Sequence, residues 1–244
     1  GATRVMEAGL ACPDWPLCFG SLIPAKQMNT QVFLEWFHRV DAFLVSSALL
    51  FQLGLTLLWR TKLPRWLPVV YGVLVVFVVL QGALGALTVL DLLPSGVVTS
   101  HLALGLTLVA TMSGVTQRLL SPNNLTAPIW WRLMSWGSLL AVFAQCLFGG
   151  RMATTWAVQR CMSYGEACGW FILHRSFSML VAVFVLIFVI TSLAVGGWAR
   201  SQWLMLLSVF GLVTTQIILG LLTLHVGLKQ PSLTVAHQLL AALL

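Results

Sequence analysis

Six stretches of this sequence run without a charged side chain for at least 18 residues: 42–59, 67–90, 97–117, 133–150, 176–199 and 201–228. A seventh apolar run, 231–244, extends to the end of the chain. At 1.5 Å of rise per residue, about 20 apolar residues cross the hydrocarbon layer of a bilayer. The runs are continuously apolar rather than alternating, so they predict helices and not the strands of a barrel. The pattern predicts an all-α polytopic membrane protein.

Composition agrees. Hydrophobic residues make up 59% of the 244 and charged residues 8%, against roughly 45–50% and 25% in soluble domains. That excludes disorder and a small disulfide scaffold. The 13 Lys and Arg against 6 Asp and Glu form no basic stripe, so no nucleic-acid partner is expected. The charges sort by loop instead. Arg60, Lys62, Arg65, Arg118, Arg132 and Arg200 fall on one side; Glu7, Asp14, Glu35, Asp41, Asp91 and Glu166 fall on the other. The positive-inside rule places the basic loops in the cytoplasm and the acidic, cysteine-bearing segments outside.

The chain repeats itself. His38-Arg39 and His174-Arg175 each precede a second histidine, His101 or His237, by 63 residues. The segment from Gln81 through Gly85 to Thr88 matches that from Gln216 through Gly220 to Thr223, and Cys12/Cys18 matches Cys161/Cys168. Such self-similarity sets the architecture. It predicts two four-helix transmembrane bundles, residues 1–120 and 121–244, related by a pseudo-twofold axis along the membrane normal. The pattern implies eight helices in the intact chain. The first half lacks a counterpart to the helix at 133–150 and the last run is short, so the first and last helices are expected to be truncated.

The four histidines then lie near the starts of helices that run inward from the outer face. Ionisable residues in spans are costly and usually functional. Opposed imidazoles on facing helices are the way bundles hold haem iron. Arg39 and Arg175, each beside a histidine, suit bidentate pairing with haem propionates. His225 has no partner of this kind and reads as an interfacial residue. The halves differ three residues before the first histidine, with Glu35 in one and Phe171 in the other. A carboxylate at that position can accept and donate protons at a bound group; a phenyl ring cannot.

Four cysteines fall in outward loops, and disulfides Cys12–Cys18 and Cys161–Cys168 would staple those loops above the histidines. Thiol chemistry connected with a reaction is the other reading of them. Cys146 lies inside a span as a small apolar residue. Gln81, Gln216, Gly85 and Gly220 suit close helix packing and interhelical hydrogen bonds.

The segments Gly1-Ala-Thr-Arg4, Cys12-Pro-Asp-Trp-Pro-Leu-Cys18 and Glu35-Trp-Phe-His-Arg39 closely resemble the haem A synthase family. His101, His174 and His237 fall where that family has its remaining histidines, and the likeness covers essentially the whole chain. The resemblance implies an oxidoreductase that converts the C8 methyl group of haem O to a formyl group, making haem A for terminal oxidases. It implies that His174, His237 and Arg175 bind haem b as cofactor. It also implies that His38, His101 and Arg39 flank the substrate haem and that Glu35 is catalytic. Expected partners are haem O, the lipid bilayer, a haem O synthase, an electron donor and a second copy of the chain. The expected location is a cell membrane, a bacterial plasma membrane ahead of an organelle inner membrane. A non-catalytic di-haem electron carrier and a transporter of parallel repeats are the alternatives.

Overall fold

The computed structural model describes residues 2–120, 127–155, 161 and 168–244. Its elements are helices: α1 (Ala2–Val5), α2 (Thr30–Leu58), α3 (Trp66–Leu90), α4 (Ser95–Leu120), α5 (Ile129–Thr154), α6 (Cys168–Val195), α7 (Gly197–Ser201), α8 (Trp203–His225) and α9 (Pro231–Leu243), with a 3₁₀ turn at Ala25–Gln27. Among the described residues α2, α3, α4, α5, α6 and α8 are each long and apolar enough to cross a membrane. The protein is an all-α polytopic membrane protein. Side chains along these helices look outward: Phe43 is 70% exposed and Leu180 67%.

Two helix boundaries depart from the apolar runs. The 42–59 run underestimates α2, which begins at Thr30. Asn29 caps it, its side chain accepting the backbone N–H of Gln31 and Val32 at 3.0 Å, and this satisfies donors a helix start leaves orphaned. The helix therefore continues through a charged first third that the run excluded. Conversely, the 176–199 run overshoots. Gly196 and Gly197 have φ of 80° and 57°, so α6 stops at Val195. Arg200 then turns back, its Nε donating to the carbonyl of Leu193 at 2.8 Å.

The chain divides into two compact units, Ala2–Ser121 and Pro122–Leu244. In the first, α2 packs on α3 and α3 on α4. One leucine from each, Leu49, Leu74 and Leu108, forms its core. Lipid offers no hydrophobic gain for burying leucine, so this contact rests on close van der Waals packing. In the second, α5 packs on α6, α6 on α8, α8 on α9 and α9 on α5. That ring sets α6 and α9 at opposite corners. One end is held by Trp131, whose ring meets Phe188 at 4.8 Å and Trp198 at 5.1 Å in edge-on contacts.

The turns before α4 and before α9 are alike. After α3, Leu92 and Leu93 take φ of 58° and 61°, and the N–H of Leu93 donates to the carbonyl of Thr88 at 2.8 Å. After α8, Gly227 and Leu228 take φ of 59° and 62°, and Leu228 donates to Thr223 at 3.1 Å. Both are helix C-terminal closures with residues in the left-handed region.

Candidate functional site: two histidine pairs

In the first unit α2 carries His38 and α4 carries His101, their ring centroids 6.4 Å apart with planes at 84°. Imidazole–metal bonds of about 2.0 Å, plus roughly 1 Å from nitrogen to ring centre, fit one metal atom between them. On α3, Gln81 Nε2 donates to the backbone carbonyl of His101 at 3.0 Å. Gly85, one turn further on, has its bare face against the ring: a Cβ there would lie 3.4 Å from His101 Cε1.

Beside this pair Glu35 is buried, 5% exposed. The carboxylate has two anchors. Its Oε2 accepts the backbone N–H of Cys12 at 2.8 Å, and its Oε1 accepts Arg39 Nη2 at 2.5 Å. Arg39 Nη1 donates to the carbonyls of Asp14 and Leu17. The Cys12–Cys18 disulfide, with Cα atoms 4.8 Å apart, closes the loop that supplies those carbonyls. Asp14 organises the loop, its carboxylate accepting the N–H of Phe19 at 2.6 Å and of Gly20 at 2.8 Å. These bonds, Gly20's above all, hold its carboxyl below the ordinary value. Three of Arg39's N–H groups point into the loop and to Glu35, because the carboxylate lies one helical turn away and the disulfide fixes the carbonyls within reach.

In the second unit His174 lies on α6 and His237 on α9. Gln145 Nε2 lies 3.0 Å from His174 Nδ1 and donates to the His174 carbonyl at 2.9 Å. Gly149 faces the same ring, so a Cβ there would lie 2.9 Å from His174 Cε1. On α8, Gln216 Nε2 lies 3.5 Å from His237 Nε2, and a Cβ on Gly220 would lie 3.1 Å from His237 Cε1. Phe171 is half-buried and Arg175 exposed. Cys161 and Cys168 are disulfide-bonded, while Glu166 lies outside the described residues. His225 ends α8 on the exposed surface. Cys146 Sγ sits 3.7 Å from the carbonyl of Ala241.

The described residues suit a metalloporphyrin bound between imidazoles. His101 Nδ1 and His237 Nδ1 are buried without a hydrogen-bond partner, as are Oε1 of Gln81, Gln145 and Gln216. Buried polar atoms are seldom left so. Sequence reasoning missed Gln145 and Gly149. The signal was there, since Gln145-x-x-x-Gly149 has the spacing of Gln81-x-x-x-Gly85 and Gln216-x-x-x-Gly220. The threonine that follows the other two is Met152 in this copy, so the longer match failed.

A family model described as COX15-CtaA, cytochrome oxidase assembly protein, matches residues 1–244. The chain is similar to the heme A synthase of Bradyrhizobium diazoefficiens, 27% identical over 99% of this chain and 82% of the relative. It is 33% identical to the heme A synthase of Shewanella oneidensis over 45% of this chain and 37% of that relative. Against the heme A synthase of Bacillus pumilus it is 36% identical over 34% of this chain and 26% of the relative. The matched stretches thus cover well under two thirds of the latter two proteins.

Proposed function

The chain belongs to the COX15-CtaA family of cytochrome oxidase assembly proteins, and on that premise we propose that it oxidises the C8 methyl group of haem O to the formyl group of haem A. Counted against water, R–CH3 + H2O → R–CHO + 4 H+ + 4 e−: two of the protons leave the methyl carbon, two leave the water that supplies the oxygen, and four electrons pass to an acceptor. The observation that carries this reading is the carboxylate beside the facing rings of His38 and His101. Among the described residues Glu35 is the one buried carboxylate, and it lies on the helix that carries His38.

His38 and His101 hold the substrate haem, and Glu35 is the proton-handling catalytic group beside it. Its anchors at Cys12 and Arg39 fix the carboxylate without using all its lone pairs, so it retains acceptor capacity toward substrate. His174 and His237 hold the resident haem b, with Arg175 available at the exposed end of its helix. Bound there, haem b supplies one-electron redox capacity. The loop bearing Cys12 and Cys18 faces outward, and the basic loops face the cytoplasm of a bacterial cell.

The test is expression with a haem O synthase, followed by chromatography of the extracted haems. Haem A is the expected product, and Glu35→Gln is expected to leave haem O unconverted. Purified protein that holds haem b but yields no haem A would replace this reading with the electron-carrier alternative. Full conversion by Glu35→Gln would remove Glu35 from the chemistry.

A further inference from the structure

We propose that Gln81 with Gly85, Gln145 with Gly149 and Gln216 with Gly220 form three copies of one histidine seat, positioning residues that fix the rings of His101, His174 and His237 toward a shared ligand. The inference rests on the haem reading above for the identity of that ligand, but its geometry belongs to the chain alone.

The spacing has a physical reason. Residues four apart share one face of a helix, so each glutamine and glycine meet the same neighbour together. In every copy that neighbour is the histidine of the helix that follows among the described residues, 20, 29 or 21 positions beyond the glutamine. The glycine supplies the floor. An added Cβ would lie 3.4, 2.9 and 3.1 Å from the Cε1 atoms of His101, His174 and His237. The closest of these is a distance real Cβ atoms do not adopt, so the ring would have to move. A glycine inside a helix costs roughly 1 kcal/mol relative to alanine, and here the ring occupies the space it leaves. Gly54, Gly72, Gly114 and Gly211 have open space instead, so proximity to a ring is not a general property of these helical glycines.

The glutamine supplies the wall. Its amide nitrogen reaches the histidine backbone carbonyl in the first two copies and a ring nitrogen in the second and third. All three carboxamide oxygens are buried with no partner among the described residues. In the second and third copies the carboxamide already touches the ring through its nitrogen, and a turn of the amide would present its uncommitted oxygen there as an acceptor. When one ring nitrogen is engaged by a metal, the other carries a proton that needs an acceptor, and this partner sets ring orientation and basicity.

The test compares two alanine substitutions on α5 in the purified full-length chain. In Gly149→Ala the new Cβ meets His174; in Gly137→Ala it lies 3.1 Å from Phe184 Cζ, a steric insult of similar size away from any histidine. The readouts are the ¹³Cε1 resonance of His174 in labelled protein and the absorption and EPR spectrum of bound haem. Gly149→Ala is expected to shift the resonance, alter the low-spin spectrum and weaken haem retention roughly tenfold. Gly137→Ala is expected to lower the melting temperature and leave both signatures in place. An unchanged His174 resonance and spectrum in Gly149→Ala, or equal changes in both variants, overturns the seat. Should Gly149→Ala fail to accumulate, Gln145→Leu and Gly220→Ala carry the same comparison for His174 and His237. A wild-type protein that binds no haem defeats the haem reading and leaves the resonance to decide the seat.

Discussion

The carboxylate of Glu35 accepts the backbone N–H of Cys12 across 23 positions of sequence. One oxygen is thereby bound to a disulfide loop, and the other is bound to Arg39. Loop and helix α2 form one hydrogen-bonded unit around a buried charge.

Removing the cation from that unit leaves the anion stranded. Arg39→Met is expected to destabilise the first unit by about 3 kcal/mol, the order seen when one partner of a buried pair is lost. It also removes the donors to Asp14 and Leu17. Thermal unfolding in detergent measures the loss; a shift below 1 kcal/mol would mean that water reaches Glu35.

Opening the Cys12–Cys18 bond frees a loop with a sequence separation of 6. Loop-closure entropy for so short a ring corresponds to about 2 kcal/mol. A membrane-impermeant reductant, or the Cys12→Ser, Cys18→Ser pair, is expected to lower the melting temperature accordingly. Hydrogen exchange at the Cys12 amide should quicken as well, because its acceptor Glu35 stays on the helix while the loop drifts.

Acid should loosen the same loop by a separate route. The folded Asp14 carboxyl is held below its ordinary value, chiefly by the Gly20 N–H. A depressed carboxyl contributes stability that is fully present above the unfolded value and is lost as pH falls through the folded one. Exchange protection at Phe19 and Gly20 is expected to persist at neutral pH and fade below the usual carboxylate range. In Asp14→Asn the protection should be weaker and flat across that range.

The turn after α3 sets two leucines in the left-handed region, where a side chain costs roughly 1–2 kcal/mol. Leu92 is 74% exposed, so Leu92→Gly removes that cost with little packing lost and is expected to raise stability by about 1 kcal/mol. Leu93→Gly should gain less, because Leu93 Cδ2 lies within van der Waals reach of a Cβ built on Gly9.

The spans were legible because lipid demands a signal that composition alone carries. The start of α2 was not. Glu35, His38, Arg39 and Asp41 end the apolar run, and only the cap at Asn29 and the Glu35–Arg39 pair explain why the helix runs through them. The first histidine pair was legible from its spacing, and the structure brings His38 and His101 together. Arg39's turn into the loop was not, since nothing local in Glu35-x-x-x-Arg39 says whether the guanidinium faces a ligand or its neighbour. Gln145 escaped because a two-residue motif with one long spacing to its target carries little information until the fold shows what it touches.

Thermostabilising this protein by the familiar exchange of helical glycine for alanine must therefore be selective. Gly54, Gly72, Gly114 and Gly211 have empty surroundings and can each yield up to about 1 kcal/mol of added helix propensity. Gly85, Gly149 and Gly220 lie just as plainly within helices, yet there the added methyl group would press on an imidazole. An engineer ranking all seven by secondary structure alone would trade function for heat resistance without seeing the exchange.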